Sequence, residues 1–248
     1  MFGAYQAGVW RELSAKFQPD LVVGTSAGAL NGWLIAGGCP PEELIRLWSD
    51  PAAAAFLKLR PPLNRWRGLF DGHTFSMGVQ SLFARCKPRI PIGVVLTEVP
   101  RLVPRLFQAG EITWQHLAAA CAIPLGLPPQ RIRGHWYVDG GLLGALPLWP
   151  ATQMGAARAV AVNALPFLPS RPMRAGVGVV RRVSPRLPLA GALDLITILP
   201  EGGLGTVSDA IRWSRDNVDR MIERGAADAR RAMDGGWLGR DSAHRVLQ

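Results

Sequence analysis

Leu21-Val22-Val23-Gly24-Thr25-Ser26-Ala27-Gly28-Ala29-Leu30-Asn31-Gly32 is the stretch that decides the fold. Its first three residues are a short apolar run, the next five form a tight Gly-x-Ser-x-Gly turn, and Ala27 to Ala36 continues in a helix-compatible pattern of small and apolar residues. Strand, turn and helix in that order are the context a nucleophile elbow requires. Gly24 and Gly28 permit the strained turn and the close approach of strand and helix. Ser26 is then presented at a helix N-terminus, where backbone dipoles favour developing negative charge.

Working outward, Tyr5, Val9, Leu13 and Phe17 recur every four residues and predict an amphipathic helix ended by Pro19-Asp20. Pro41-Glu42-Glu43 is a helix start reaching to about Trp48, because proline suits the first turn and carboxylates complement the dipole there. Pro51 to Phe70 has no clean periodicity and reads as an irregular excursion or lid. Ile92 to Leu96 and Leu102 to Phe107 read as strands, and Thr113 to Cys121 as a helix capped by Thr113. Arg131-Ile132-Arg133 and Trp136-Tyr137-Val138 flank a two-residue turn at Gly134-His135. A small-residue helix is expected near Pro150 to Ala156, strands at Ala159 to Val162 and Leu193 to Leu199, and a basic loop at Arg171 to Arg186. Val207, Ile211, Ser214, Val218 and Ile222 mark the buried side of a long C-terminal helix. Alternating strands and helices favour a three-layer α/β/α sandwich, read as one domain over residues 1–248.

Charge is the unusual quantity: 28 Lys+Arg against 18 Asp+Glu give a formal +10, so the surface should attract polyanions. No zinc-finger spacing, Arg-rich recognition helix or aromatic RNA-binding strand accompanies it, so no nucleic acid partner is expected. Cys39, Cys86 and Cys121 are odd in number and widely spaced, which suits neither a disulfide framework nor a metal site. No stretch approaches the roughly 18 apolar residues of a membrane span. The expected location is cytoplasmic, with peripheral membrane contact.

A serine nucleophile needs a base, in the usual template a histidine. His73, His116, His135 and His244 fall in the excursion, a helix, a hairpin turn and the tail, none following a strand as a triad would need; each reads as a surface or capping residue. Asp139 ends an apolar strand and precedes Gly140-Gly141, where a carboxylate could point from the sheet edge toward Ser26 or simply make an Asp-Gly turn.

Gly24-Thr25-Ser26-Ala27-Gly28-Ala29-Leu30-Asn31-Gly32 and Val138-Asp139-Gly140-Gly141, in that order, resemble the two signature blocks of the patatin-like phospholipase family. Gly3 to Gly8 resembles the helix start after that family's glycine-rich loop, and Ala118 to Pro124 with Pro128-Pro129 resembles the segment before its aspartate. The resemblance covers nearly the whole chain. It implies an α/β/α hydrolase of lipid acyl esters needing no metal or organic cofactor, with Ser26 as nucleophile and Asp139 as base. Gly24, Thr25, Ala27 and Gly28 would shape the elbow and its oxyanion donors, and Gly140 and Gly141 complete the aspartate motif.

The family's Gly-rich oxyanion loop and first strand are matched only by Gly3. Losing one oxyanion donor typically costs about 10²–10³ in turnover. Two accounts follow: a start assigned too far downstream, which is favoured, or a truncation that leaves a lipid-binding or regulatory protein. A third reading keeps the acyl-serine but transfers the acyl group to an acceptor other than water. A missing strand would also expose backbone donors and apolar faces, predicting poor solubility. The expected partner is a lipid or acyl-ester substrate. Trp66, Leu69 and Phe70 beside Lys58, Arg60, Arg65 and Arg67, and the arginines of the 171–186 loop, suggest contact with anionic headgroups.

Overall fold

A computed structural model describes residues 2–52, 70–124, 126–165, 177–178, 182, 184, 191–206, 208–209 and 212–234. Residues 53–69 of the excursion, most of the 171–186 loop, Val207, Ile211 and His244 lie outside the described residues.

The elements run α1 (Gly3–Leu13), β1 (Val22–Gly24), α2 (Ala27–Ala36), α3 (Pro41–Ser49), α4 (Gly72–Arg85), β2 (Ile92–Val99), β3 (Val103–Gln108), α5 (Trp114–Ala120), β4 (Gln130–Ile132), β5 (His135–Asp139), α6 (Trp149–Gln153), β6 (Arg158–Val162), β7 (Asp194–Ile198) and α7 (Arg215–Asp234). β1 to β5 form one mixed sheet in the order β1-β2-β5-β4, with β3 also on β2; β6 and β7 form a separate parallel pair. This is the mixed α/β architecture the sequence pattern predicts.

β2 is the spine, because seven of its eight residues are buried, as a strand covered on both faces must be. Its even-numbered residues Ile92, Val94 and Leu96 enter a core with Trp33 of α2, Val79 of α4 and Leu117 of α5. On the opposite face Gly93 admits Leu106 and Met154; a Cβ there would come within 2.8 Å of both side chains. A second core packs α1 and α7 against the β6–β7 pair, with Tyr5, Val9, Ile198, Val218, Met221 and Ile222 inside it. Two glycines set that helix crossing: a Cβ on Gly8 would overlap the Ile222 carbonyl, and one on Gly225 the Tyr5 carbonyl. Tyr5 Oη donates to the buried Asp228 across the same interface at 2.9 Å, and Arg231 and Arg224 also pair with that carboxylate.

Several boundaries differ from the sequence reading. Asp71 caps α4 by accepting from the His73 amide at 3.2 Å and from the Thr74 hydroxyl at 2.6 Å, so a 14-residue helix starts where an excursion was still ending. The β4–β5 turn is Arg133-Gly134, one residue earlier than expected. Both residues have positive φ, at 48° and 88°, which frees His135 to begin β5. The short helix near Pro150 begins at Trp149 and ends at Gln153. The long C-terminal helix begins at Arg215, just after Ser214, and Val218 and Ile222 of the expected stripe lie on its buried side with Met221, Gly225, Ala226 and Ala229.

Candidate active site

β2 has two edges. One is occupied by β3 from Gly93 to Glu98. The other is shared: β1 pairs in parallel with Ile92–Val94 and β5 antiparallel with Leu96–Val99. β1 therefore ends at Gly24 opposite Val94, β5 arrives from the other direction and ends at Asp139 opposite Leu96, and only Val95 separates them. Two segments far apart in the chain are thus brought end to end by pairing with one strand.

The side chains at this junction are tied together. Thr25 Oγ1 lies 3.1 Å from the Val95 carbonyl and 3.2 Å from Asp139 Oδ1, so its single proton serves two acceptors. The Gly141 amide donates to Asp139 Oδ1 at 2.8 Å. Asp139 is also held through its backbone: its carbonyl accepts from Thr97 Oγ1 at 3.1 Å and its amide donates to the Ala122 carbonyl at 3.2 Å. Its side chain is 5 % exposed. Burial raises the carboxyl from an ordinary 3.8 to about 6, against the Gly141 amide, the Ser26 hydroxyl and the Thr25 hydroxyl, which draw it down.

Ser26 stands at φ 53° and ψ −138°, a conformation non-glycine residues seldom adopt, which costs on the order of 1–3 kcal/mol. It is the N-cap of α2, yet its side chain makes no capping bond, and its hydroxyl is near enough to the Asp139 carboxyl to draw that group's pKa down. The first amide of α2 with an acceptor one turn back is Ala29, bonded to the Ser26 carbonyl at 2.9 Å. Ala27 and Gly28 precede any intrahelical acceptor, as helix geometry dictates.

The glycines divide by contact. A Cβ on Gly24 would overlap the Gly28 carbonyl, and one on Gly140 would overlap the Val95 carbonyl, so these two positions demand glycine. Gly28 and Gly141 have more room, with nearest atoms at 3.4 Å (Gln6 Nε2) and 3.1 Å (Asp139 Oδ1). Gly28 is therefore not required for the strand–helix approach as the motif suggested. Gly3 opens α1 against the elbow: a Cβ there would strike the Trp48 ring and come within 3.0 Å of Ala27 Cβ.

Three residues with a part in this arrangement were not read from the sequence. Asn31 donates from Nδ2 to the Gly3 carbonyl at 3.0 Å and to Gln6 Oε1 at 2.9 Å, while its Oδ1 accepts from Trp48 Nε1 at 2.9 Å. It thereby pins the start of α1 to α2. The signal was present, since Asn31 is the one polar side chain from Ala27 to Ala36. Thr97, a polar residue inside an apolar strand, and Ala122, whose carbonyl does the work, lock the Asp139 backbone; no side-chain chemistry marks Ala122. Among the histidines, His116 is a cap: its Nδ1 accepts from the Thr113 amide at 3.1 Å, and burial pushes its pKa down to about 4. It is buried and not a surface residue. His135 Nδ1 sits 3.4 Å from Glu98.

Comparison with known proteins supplies the lineage. The model of the patatin-like phospholipase family matches residues 1–152, more than half of the chain, and takes in both Ser26 and Asp139. Rat patatin-like phospholipase domain-containing protein 7 is 25 % identical over 173 residues, covering 65 % of this chain and 12 % of that protein. Human patatin-like phospholipase domain-containing protein 6 is 27 % identical over a stretch with the same coverage, and the Drosophila melanogaster neuropathy target esterase sws is 25 % identical. The chain thus spans about one eighth of the length of these curated relatives. In fold it is similar to VipD from Legionella pneumophila, with a TM-score of 0.51 at 11 % identity, covering 94 % of this chain and 65 % of that one. The chain belongs to the patatin-like phospholipase family.

Proposed function

We propose that the chain cleaves lipid acyl esters through an acyl-serine intermediate, with Ser26 as nucleophile and Asp139 as its base. The observation that carries this reading is the meeting of the strained Ser26 elbow and a buried, hydrogen-bonded Asp139 at the shared edge of β2. Asp139 accepts the Ser26 proton as Oγ bonds to the ester carbonyl carbon, then returns it to the alcohol oxygen as the C–O bond breaks. Water next gives a proton to Asp139 and attacks the acyl-serine; collapse releases fatty acid and restores the Ser26 hydroxyl. A carboxyl titrating near 6 is ionised at neutral pH yet basic enough to share a proton, as general-base work requires. The Ala27 amide, next to the nucleophile and at the positive end of α2, would donate to the oxyanion, with Gly3 packed beside Ala27.

The test is fluorophosphonate labelling of the parent chain and of Ser26→Ala and Asp139→Ala variants, with release of free fatty acid followed by mass spectrometry. Labelling of the parent alone supports the assignment. Label that survives Ser26→Ala rejects the nucleophile, and an acylated alcohol as product in place of free acid would make the chain a transferase.

A further inference from the structure

The hydrogen-bonding registers that join the two candidate catalytic residues also bring two turns together beyond them. β2 continues past the junction to Val99 and turns through Arg101 into β3, while β5 begins at the Arg133-Gly134 turn. Trp136 pairs with Val99 on one side and with Arg131 of β4 on the other, so the three side chains share one face of the sheet. That face is opposite the one carrying Glu98 and Tyr137, which pair with each other. Trp136 is 47 % exposed, an unusual place for the largest apolar side chain.

The charge here is one-sided. Arg101, Arg105, Arg131 and Arg133 are all exposed. The carboxylate among them is Glu98, which is buried and already engaged by Arg105 at 2.7 Å, by Arg101 at 3.8 Å and by His135 at 3.4 Å. Arg131 and Arg133 have no carboxylate partner among the described residues. Trp136 lies three residues before Asp139 on β5, about 10 Å at ~3.4 Å per residue. A second apolar group, Ile123 at 53 % exposure, follows the Ala122 carbonyl that holds the Asp139 amide.

We infer that this end of the sheet is a docking surface for a bilayer containing anionic lipid. Arg131 and Trp136 approach from one face of the sheet, and Arg101 and Arg133 from the two turns at its end; the arginines meet headgroup phosphates, and Trp136 sits at the headgroup level, where an aromatic ring with a polar N–H is most stable. The inference rests on the lipid-hydrolase reading above. It adds where the chain meets its substrate: this end of the sheet seats on the membrane and holds Asp139 about 10 Å behind it, three residues further along β5. An exposed tryptophan beside an arginine could also stack single-stranded nucleic acid. The membrane is favoured because the patch adjoins a site whose family acts on lipids.

Co-sedimentation of the Ser26→Ala chain with vesicles tests it without turnover. The vesicles are phosphatidylcholine, with or without phosphatidylglycerol, at low and high salt. Binding is expected to need phosphatidylglycerol and to weaken with salt. Arg131→Gln with Arg133→Gln should lower the partition coefficient by roughly 25-fold, about fivefold for each charge, and Arg101→Gln alone by about fivefold. Trp136→Ala should weaken binding yet leave its salt dependence. Each variant is required to keep a cooperative thermal transition, and Arg101→Gln, on a turn, supplies the charge test should the double variant unfold. Equal binding to both vesicle types, or arginine variants that bind like the parent, overturns the inference. So does arginine-dependent retention of a single-stranded oligonucleotide by a chain that ignores vesicles. Fluorophosphonate labelling decides the hydrolase reading separately, so the failure of one is distinguishable from the failure of the other.

Discussion

Replacing Asp139 by Asn should make the protein more stable than the parent, and increasingly so as the pH rises. The carboxyl titrates at 3.8 when free in the unfolded chain and at about 6 when buried at the junction of β1 and β5. A folded-state value raised in this way favours folding with the proton on; the advantage is complete below 3.8 and is lost as pH rises through 6. About two pKa units at 1.36 kcal/mol each put the cost of ionising Asp139 in the fold near 3 kcal/mol. Asn is similar in shape, can accept from the Gly141 amide and the Thr25 hydroxyl, and does not titrate. The stability difference between variant and parent should therefore grow by about 2–3 kcal/mol in favour of Asn from pH 4 to pH 8. Urea unfolding of both proteins at intervals across that range measures it. A difference that is flat with pH, or that grows toward acid, would show that Asp139 is not held as a desolvated carboxylate, and the argument for it as a base near neutrality would go with it.

Other outcomes follow from the same contacts. Ester hydrolysis should fall as pH drops through about 6, because protonated Asp139 cannot accept the Ser26 proton; a kcat/KM profile flat down to pH 5 would contradict this. Thr25→Val removes a hydrogen bond that favours the ionised carboxylate, so the acid limb should move to higher pH, and Thr25→Ser should restore it, as read from the same profiles. Ser26→Gly should abolish fluorophosphonate labelling and raise the unfolding free energy by about 1–3 kcal/mol, since glycine tolerates the positive φ that serine holds under strain; calorimetry against Ser26→Ala separates the two effects. Gly8→Ala should destabilise by about 1–3 kcal/mol or more, as the new methyl group meets the Ile222 backbone across the α1–α7 crossing, and thermal melts would show whether the helices part to admit it.

How far these features could be read in advance depended on how local their causes are. The elbow was legible because strand, turn and helix follow one another directly from Val22 to Ala36. Asp139 was legible as a strand end ahead of two glycines, from which a carboxylate could point toward Ser26 or simply make a turn, and family resemblance is what favoured the first. The junction is made by pairing: Thr25 and Asp139 stand 114 residues apart, and nothing in either neighbourhood says that both strands use one edge of β2. α4 was missed because its start, Gly72-His73-Thr74, lacks an apolar stripe; what begins it is the Asp71 side chain. The hairpin turn was set one residue late because Arg133 takes positive φ, which sequence reasoning assigns to glycine first. The weak link is the same in each case: pattern reports burial well, but caps and registers are settled by individual hydrogen bonds.

The common edge of β2 acts as a ruler on which both halves of the site are marked off. Lengthening a connection that leaves the elbow and the aspartate strand intact, such as that between α2 and α3 or between β2 and β3, need not change the gap between hydroxyl and carboxylate, because the gap is not measured through those connections. Removing one residue from β2 between Val94 and Leu96 would bring the two marks together by about 3.4 Å and turn one strand's side chains to the opposite face. The site is thus tolerant of change along most of its length and brittle at three consecutive positions, none of which needs to touch a substrate.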